Sequence, residues 1–216
     1  MPAPTPSPPI TIANLTPPLL ESISNLLAGA FADDPLARCN RLLEDGSPNE
    51  TVVEKETWMK MWRENITTKL QAGAEVVEVA DWTALTLWFP PGVKKSTFDR
   101  TTSPAPLLEY FDSFEAIKEK YLHGRKYWYL NLIARDPQKR EKGVITALFQ
   151  PYLERAKAEG IPVWLEATSE HSRDVYLRYG FKQVEEVCIG KGEVSADGNI
   201  VKGGKGVMVY GMIIEP

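Results

Sequence analysis

A short loop between a predicted strand and a predicted helix carries the residues best suited to bind an anion. It ends in six candidate residues: Arg140, Glu141, Lys142, Gly143, Val144 and Ile145. The first N–H groups of a helix lack partners within it and, with the helix dipole, form a seat for a phosphate or pyrophosphate. From residue 135 to residue 142, four basic side chains outnumber two acidic ones. Basic charge at a helix start favours a bound anion there, and the alternative is an ordinary solvated turn.

Tyr176 lies in a second stretch with chemical potential, VYLRYGF, at the end of a short predicted helix. A tyrosine hydroxyl has an ordinary pKa of about 10, so at neutral pH it holds a proton that it can donate. The alternative is that Tyr176 and Tyr179 only pack an apolar helix face against a sheet. The residues by themselves leave both roles open.

Composition and charge exclude several classes of protein. With 216 residues, 43% hydrophobic and 25% charged, the chain has the composition of an ordinary globular protein. Its net charge of -4 argues against a dedicated nucleic-acid binder, and no run reaches the roughly 18 apolar residues of a membrane span. The first 18 residues hold seven of the 17 prolines and no charged side chain, unlike a secretion signal. We therefore expect a cytoplasmic protein that acts on small molecules.

The residues that most often ligate metals are few and far apart. The chain has two cysteines, Cys39 and Cys188, and two histidines, His123 and His171. They share no metal-like spacing, so we expect neither a metal site nor a disulfide framework.

The amino-terminal half is predicted to be mainly helical. Residues 1–10 are rich in proline and predict a disordered tail, which leaves residues 11–216 as a single domain. Apolar spacing and turn residues predict a helix over about 19–31 that ends at Asp33-Asp34-Pro35, a helix over about 50–71, a hairpin of Glu75–Ala80 and Thr83–Phe89, and a helix over about 107–121.

The carboxy-terminal half alternates between strands and helices, which is typical of an α/β fold. The predicted elements are a strand over Tyr127–Ala134, a helix over about 143–159, a strand over Ile161–Thr168, a short helix over His171–Tyr179, and strands over Phe181–Ile189 and Gly206–Ile214. The glycine-rich residues 190–206 predict a long hairpin loop between the last two strands.

This order of elements resembles the GNAT superfamily of acyl-CoA-dependent N-acyltransferases, and the fungal-type members most closely. The resemblance covers the strand YWYLNLIARDP, the loop QKREKG, the helix VITALFQPYLERAKAEG, the strand IPVWLEAT and the helix ending in VYLRYGF. The segments AFADDP at 30–35 and LWFPPG at 87–92 are similar to amino-terminal pieces of the same group. The resemblance implies a mixed, twisted α/β sheet of about six to seven strands that splays near its middle, with acetyl-CoA as co-substrate.

The pyrophosphate motif of the family is Arg or Gln, two residues, Gly, one residue, and Gly or Ala. Arg140 and Gly143 match this motif, whereas Ile145 does not. Its branched side chain either narrows the phosphate seat or turns into the core. Glu141 stands where a glycine is frequent, and its carboxylate would repel a phosphate.

The resemblance also implies where coenzyme A lies. The strand residues Ile133, Ala134 and Arg135 would offer backbone groups to the pantetheine arm, and residues 140–145 would hold the pyrophosphate. Tyr176 occupies the position at which many members place a tyrosine beside the thioester sulfur, so it would protonate the leaving thiolate.

An acceptor amine must lose a proton before it attacks a thioester, so the family reaction also needs a base. Glu166, in WLEAT, is the first candidate for this base. Asp33 and Asp34 are the second, since their adjacency can raise the pKa of one of them, although an acidic helix-ending turn is the alternative. Phe31 precedes these aspartates on the expected substrate side.

Trp128 and Tyr129 alternate along a strand, so one of the two faces the substrate and can wall an apolar acceptor. A plain core role is the alternative for either residue. The expected function is transfer of an acetyl group from acetyl-CoA to a small-molecule amine by direct attack. Two rival functions remain open: a different reaction on the same fold, and non-catalytic binding of a small molecule.

Overall fold

The computed structural model describes residues 7–44, 46, 53–93 and 100–216. Within these ranges, seven strands form one sheet and six helices cover it. The strands are β1 (Ile10–Thr11), β2 (Glu75–Val79), β3 (Ala84–Phe89), β4 (Trp128–Arg135), β5 (Val163–Ala167), β6 (Lys182–Ile189) and β7 (Val207–Ile214). The helices are α1 (Pro17–Ala30), α2 (Pro35–Glu44), α3 (Lys55–Gln71), α4 (Ala105–Leu122), α5 (Val144–Glu159) and α6 (Glu170–Arg178).

The sheet opens in its middle, between β4 and β5. Its strand order is β1-β2-β3-β4-β5-β7-β6, and only β4 and β5 run parallel to each other. They pair from Trp128 with Val163 to Leu130 with Leu165, and beyond these residues the two strands continue without pairing with each other. Leu87 and Trp88 of β3 pair with Leu132 and Leu130 of β4, so the pairing passes over Asn131. This bulge bends β4 at the point where its pairing with β5 ends. The predicted mixed, splayed α/β sheet is confirmed.

Each face of the sheet buries its own hydrophobic core. Ile66 of α3 belongs to the core under α1 to α4, and Leu148 belongs to the core under α5 and α6. Because neighbouring residues of a strand point to opposite faces, Trp128 and Tyr129 lie in different cores.

The region after the first helix differs from the prediction. The chain forms an additional helix, α2, which the sequence pattern does not predict. Helix α1 ends at Ala30, and the Asp34-Pro35 pair, predicted as a helix-ending signal, instead begins α2, because an aspartate before proline is a favourable helix start. The helix predicted over about 50–71 corresponds to α3, and its predicted start at Glu50 lies outside the described residues.

Two segments predicted as loop or tail are part of the fold. Ile10, at the end of the predicted tail, pairs with Glu78 at the edge of the sheet, while residues 1–6 lie outside the described ranges. In the glycine-rich segment, Val194 pairs with Ile200 and is 1% exposed. In the part of the chain described, no helix is both long and apolar enough to cross a bilayer.

Candidate active site

The opening between β4 and β5 leads into a cavity of about 700 Å³. Its wall is formed by the end of α1, one side each of α2, α3 and α4, the free part of β4, and the end of β5 with the start of α6. The cavity therefore lies where the sheet splays and where four helices converge on one face.

The free part of β4 forms one side of the opening, as the sequence predicts. Ile133, Ala134 and Arg135 line the cavity. These residues pair with β3 on one side only, so their backbone N–H and C=O groups on the side of β5 are available to a ligand. Such a row of amide groups suits an extended chain that carries amides of its own.

The predicted anion loop lies beside this strand, at the start of α5. Gly143 precedes the helix with a φ of 81°, in the left-handed region that favours glycine. Arg135 donates to the carbonyl oxygens of Lys139 at 3.3 Å and Glu141 at 3.1 Å, and Arg140 donates to the carbonyl oxygen of Pro137. The basic side chains thus hold the loop in shape around the first turn of the helix.

Three further residues of the loop differ in exposure. Glu141 and Lys142 are exposed, and Val144 is buried. Ile145 is half-buried and packs against the core that contains Leu148 and Phe149. Of the two orientations considered for the Ile145 side chain, the one toward the core is observed.

Tyr176 reaches the cavity from α6. The residue is 7% exposed and lines the cavity. Burial and the nearby charge of Asp34 raise the pKa of its hydroxyl above the ordinary value, so the hydroxyl stays protonated at neutral pH. Its ring centroid lies 6.0 Å from that of Phe149 in the core, so Tyr176 both packs in the core and lines the cavity.

The two adjacent aspartates have different environments. Asp34 lines the cavity, and its carboxylate accepts a hydrogen bond from the backbone N–H of Ala37 at 2.8 Å and another from the hydroxyl of Thr168. Burial raises the pKa of Asp34 despite these hydrogen bonds. Asp33 does not line the cavity: its side chain is 99% exposed and pairs with Arg38 at 3.2 Å. The expectation that Asp33 binds substrate is therefore corrected, because the turn before α2 points it to solvent.

Glu166 is the centre of a buried polar cluster at the cavity wall. Its side chain is 3% exposed and forms an ion pair with Lys118, whose Nζ lies 3.1 Å from Oε1. Oε1 also accepts from the indole N–H of Trp164 at 2.7 Å, and Oε2 accepts from the hydroxyl of Tyr129 at 2.5 Å. The hydroxyl of Tyr110 lies 3.4 Å from Oε2. Both carboxylate oxygens are occupied by donors from the protein.

The charge on Glu166 affects the groups around it. Burial alone would lower the pKa of Lys118, but the charges of Glu166 and Glu115 outweigh burial and raise it. Burial and then the charge of Glu166 raise the pKa of the Tyr129 hydroxyl, and the same two causes raise that of Tyr110. The cluster therefore consists of a charged pair surrounded by protonated phenols.

Of the two alternating aromatic residues on β4, Tyr129 faces the cavity. Trp128 lies on the other face of the sheet, where its indole N–H donates to Glu159 at 2.9 Å and the Arg155 guanidinium lies 4.5 Å from its ring centroid. The expectation that Trp128 binds substrate is corrected, because strand alternation places its side chain in the opposite core. Phe31 lines the cavity, as expected, and its ring centroid lies 5.1 Å from that of Trp62.

Lys118 and Tyr110 are site residues that the sequence analysis missed. Both lie on α4, whose apolar stripe includes Phe111 and Phe114. A lysine four residues after Phe114 on the buried side of a helix is a signal that could have indicated a buried carboxylate partner, since an unpaired lysine is rarely buried.

Comparisons with known proteins agree with this geometry. A family model described as "Acetyltransferase (GNAT) family" matches residues 109–181, which include β4, α5, β5 and α6. An uncharacterized protein of Saccharomyces cerevisiae is 31% identical over 142 residues, 64% of this chain and 60% of that protein. An uncharacterized N-acetyltransferase of Schizosaccharomyces pombe is 25% identical over 183 residues, 76% of this chain and 70% of that protein. The chain thus spans about 60% of the length of the first of these relatives.

The fold also matches solved structures along most of its length. The polyamine N-acetyltransferase of Drosophila melanogaster, described as an enzyme that catalyzes the formation of N-acetylagmatine, superimposes with a TM-score of 0.60. It is 12% identical, and the match covers 96% of this chain and 100% of that structure. Residues 109–181, which contain the splayed strands, the loop and the tyrosine helix, thus match the GNAT acetyltransferase family, and the fold agrees with that of a solved N-acetyltransferase.

Proposed function

We propose that this chain transfers an acetyl group from acetyl-CoA to the amine of a small molecule, by direct attack of the amine and with Tyr176 as general acid. The observation that carries the proposal is the opening of the sheet into a cavity that Tyr176 and Asp34 share. One group there holds a proton at neutral pH, and the other is a carboxylate with a raised pKa. Together they supply the acid and the base that amine acetylation needs.

The residues present fit coenzyme A. The unpaired side of β4 from Ile133 to Arg135 would hold the pantetheine arm, and the first N–H groups of α5 with Arg140 would hold the pyrophosphate. Ile145 packs toward the core, so its branched side chain does not narrow this seat. Acetyl-CoA supplies an acyl group already activated as a thioester.

Asp34 is the base that the geometry favours over Glu166. Glu166 pairs with Lys118 and accepts hydrogen bonds from two further donors, so both of its oxygens already have partners in the protein. Asp34 has a raised pKa, which makes its carboxylate the better acceptor for a proton from the substrate ammonium. Tyr176 then gives its Oη proton to the departing thiolate sulfur, and Glu166 orients Tyr129 in the cavity wall.

The acceptor half of the cavity is largely aromatic. The rings that line it belong to Phe31, Trp62, Phe89, Tyr110, Phe111, Phe114 and Tyr129. We propose that the acceptor amine carries an aromatic or other apolar body, because such a body buries favourably against these rings. An arylalkylamine should then be acetylated with a higher kcat/KM than an aliphatic diamine of similar length. The opposite order would refute this preference without affecting the proposed reaction.

The experiment that tests the base is the Asp34→Asn variant, with Asp33→Asn as its matched control. Asparagine keeps the helix cap of α2, so folding should be retained. We expect kcat/KM to fall by about 10²–10⁴ in Asp34→Asn and to stay unchanged in Asp33→Asn. In the wild type, activity should fall as pH decreases through the raised pKa of Asp34, because protonation removes the base. Equal activity in both variants would refute the assignment.

A calorimetric titration with acetyl-CoA and a broad amine panel test the reaction itself. Binding of acetyl-CoA without turnover of any amine would instead support a binding protein.

A further inference from the structure

The segment between β6 and β7, residues 190–206, is a folded hairpin rather than an open loop. The backbone N–H of Ser195 donates to the carbonyl of Asn199 at 2.9 Å, and that of Val201 donates to the carbonyl of Glu193 at 2.8 Å. Val194 anchors the hairpin in the core. The turn at its tip, residues 195–199, is therefore held in one place.

The tip of this hairpin touches the first residue of α2. Gly198 is buried and has a φ of +84°. A Cβ atom added there would lie 2.1 Å from the carbonyl oxygen of Pro35 and 2.8 Å from its carbonyl carbon and Cα. These distances are far inside van der Waals contact, so only glycine lets the two backbones meet.

Pro35 directly follows Asp34, whose carboxylate caps α2 through the N–H of Ala37. A displacement of the Pro35 backbone would move the first turn of α2 and the Asp34 carboxylate with it. The base of the hairpin is fixed as well, since the N–H of Gly190 donates to Glu109 of α4 at 2.7 Å. The hairpin thus links α2 and α4, two of the helices that line the cavity.

We propose that the 190–206 hairpin braces the start of α2 and that Gly198 is a positioning residue for Asp34. The brace sets where the carboxylate stands relative to Tyr176 and the acceptor. The effect of this brace on catalysis rests on the proposed function, whereas its effect on the stability of the start of α2 does not.

The test compares Gly198→Ala with the matched control Gly203→Ala. Gly203 lies in the same hairpin with a φ of +79°, but a Cβ there meets nothing within 4 Å. Both variants carry the backbone strain of alanine at positive φ, and only Gly198→Ala collides with Pro35. Amide hydrogen exchange measured by mass spectrometry should be faster for the peptide spanning residues 34–44 in Gly198→Ala than in Gly203→Ala.

Kinetics test the catalytic part. We expect kcat to fall about 10–100-fold in Gly198→Ala, with a shifted acid limb of the pH profile, while the Kd for acetyl-CoA stays unchanged. Gly203→Ala should keep the wild-type kcat and pH profile. If Gly198→Ala does not fold, Ser195→Ala provides a milder variant, because it removes the Oγ that accepts from the N–H of Asn199 at 3.0 Å.

Equal exchange of residues 34–44 in Gly198→Ala and Gly203→Ala would overturn the brace. Faster exchange with an unchanged kcat and pH profile would overturn the positioning role of Gly198. If the wild type acetylates no amine at all, the proposed function fails, and the exchange comparison still decides whether the brace exists.

Discussion

Replacing Lys118 by methionine should destabilise the protein by about 3–5 kcal/mol, because it removes the cation paired with the buried Glu166 carboxylate. The two side chains are 7% and 3% exposed, and their charged atoms lie 3.1 Å apart. Neither position allows water to solvate a charge left alone. For a protein of this size, the loss corresponds to a decrease in Tm of about 6–20 °C.

The structure also predicts an asymmetry between the two partners. Glu166→Gln leaves Lys118 with Glu115, whose Oε1 lies 2.9 Å from Nζ and whose side chain is 59% exposed. Glu166→Gln should therefore cost less than Lys118→Met. The double variant Lys118→Met with Glu166→Gln should recover part of the loss, because it removes both buried charges.

Urea unfolding of the two single variants and the double variant measures these free energies, with Glu115→Gln as the control. The control removes only a partner that is mostly exposed, so it should cost less than about 1 kcal/mol. A cost below about 1 kcal/mol for Lys118→Met would refute the buried ion pair. Near-additive losses in the double variant would show that the two side chains do not interact.

Three more changes test the proposed acyl-CoA site. Tyr176→Phe keeps the packing ring but removes the proton, so kcat should fall by about 10² at unchanged Tm, and a loss below about threefold would make the tyrosine structural. Arg140→Glu should raise the Kd for acetyl-CoA about tenfold, whereas Lys157→Glu, in the last turn of α5, should leave it unchanged. Equal Kd values in the two variants would show that the pyrophosphate binds elsewhere. Ile145→Gly should lower the unfolding free energy by about 2 kcal/mol in a melt without tightening acetyl-CoA binding, and tighter binding would show that Ile145 obstructs the seat.

The part of the fold that the family model matches could be predicted from the sequence. β4 and β5 are rich in branched and aromatic residues, α5 has an apolar stripe, and short turns that contain glycine or charged residues separate the elements from β4 to α6. Local patterns of this kind determine both the identity of an element and its neighbours, since parallel strands joined through a helix lie side by side. Ile133, Ala134 and Arg135 of β4 line the cavity, and their binding to the pantetheine arm stays a prediction.

The acceptor side could not be predicted to the same extent, because it depends on contacts between distant segments. The ion pair between Lys118 and Glu166 joins residues 48 positions apart. The hairpin tip at Gly198 contacts Pro35, which lies 163 positions earlier in the chain. Helix α2 has only three buried residues and follows a helix-ending signal directly, so its pattern was too short to recognise. Asp34 caps this helix and lines the cavity, whereas Asp33 is exposed to solvent. The different positions of the two aspartates therefore depend on a helix that the sequence pattern does not predict.

Asp34 and Glu166, two of the carboxylate residues that line the cavity, differ through their surroundings rather than through their type. Glu166 lies beside a cation and accepts hydrogen bonds from an indole N–H and a phenol, so donors from the protein surround its negative charge. Asp34 faces a backbone N–H and a threonine hydroxyl, and burial outweighs both and raises its pKa. A substrate ammonium that enters the cavity would therefore lose its proton to Asp34 more readily than to Glu166. The charge of Asp34 also acts on the Tyr176 hydroxyl, and we propose that these two groups accept and donate the protons of the reaction.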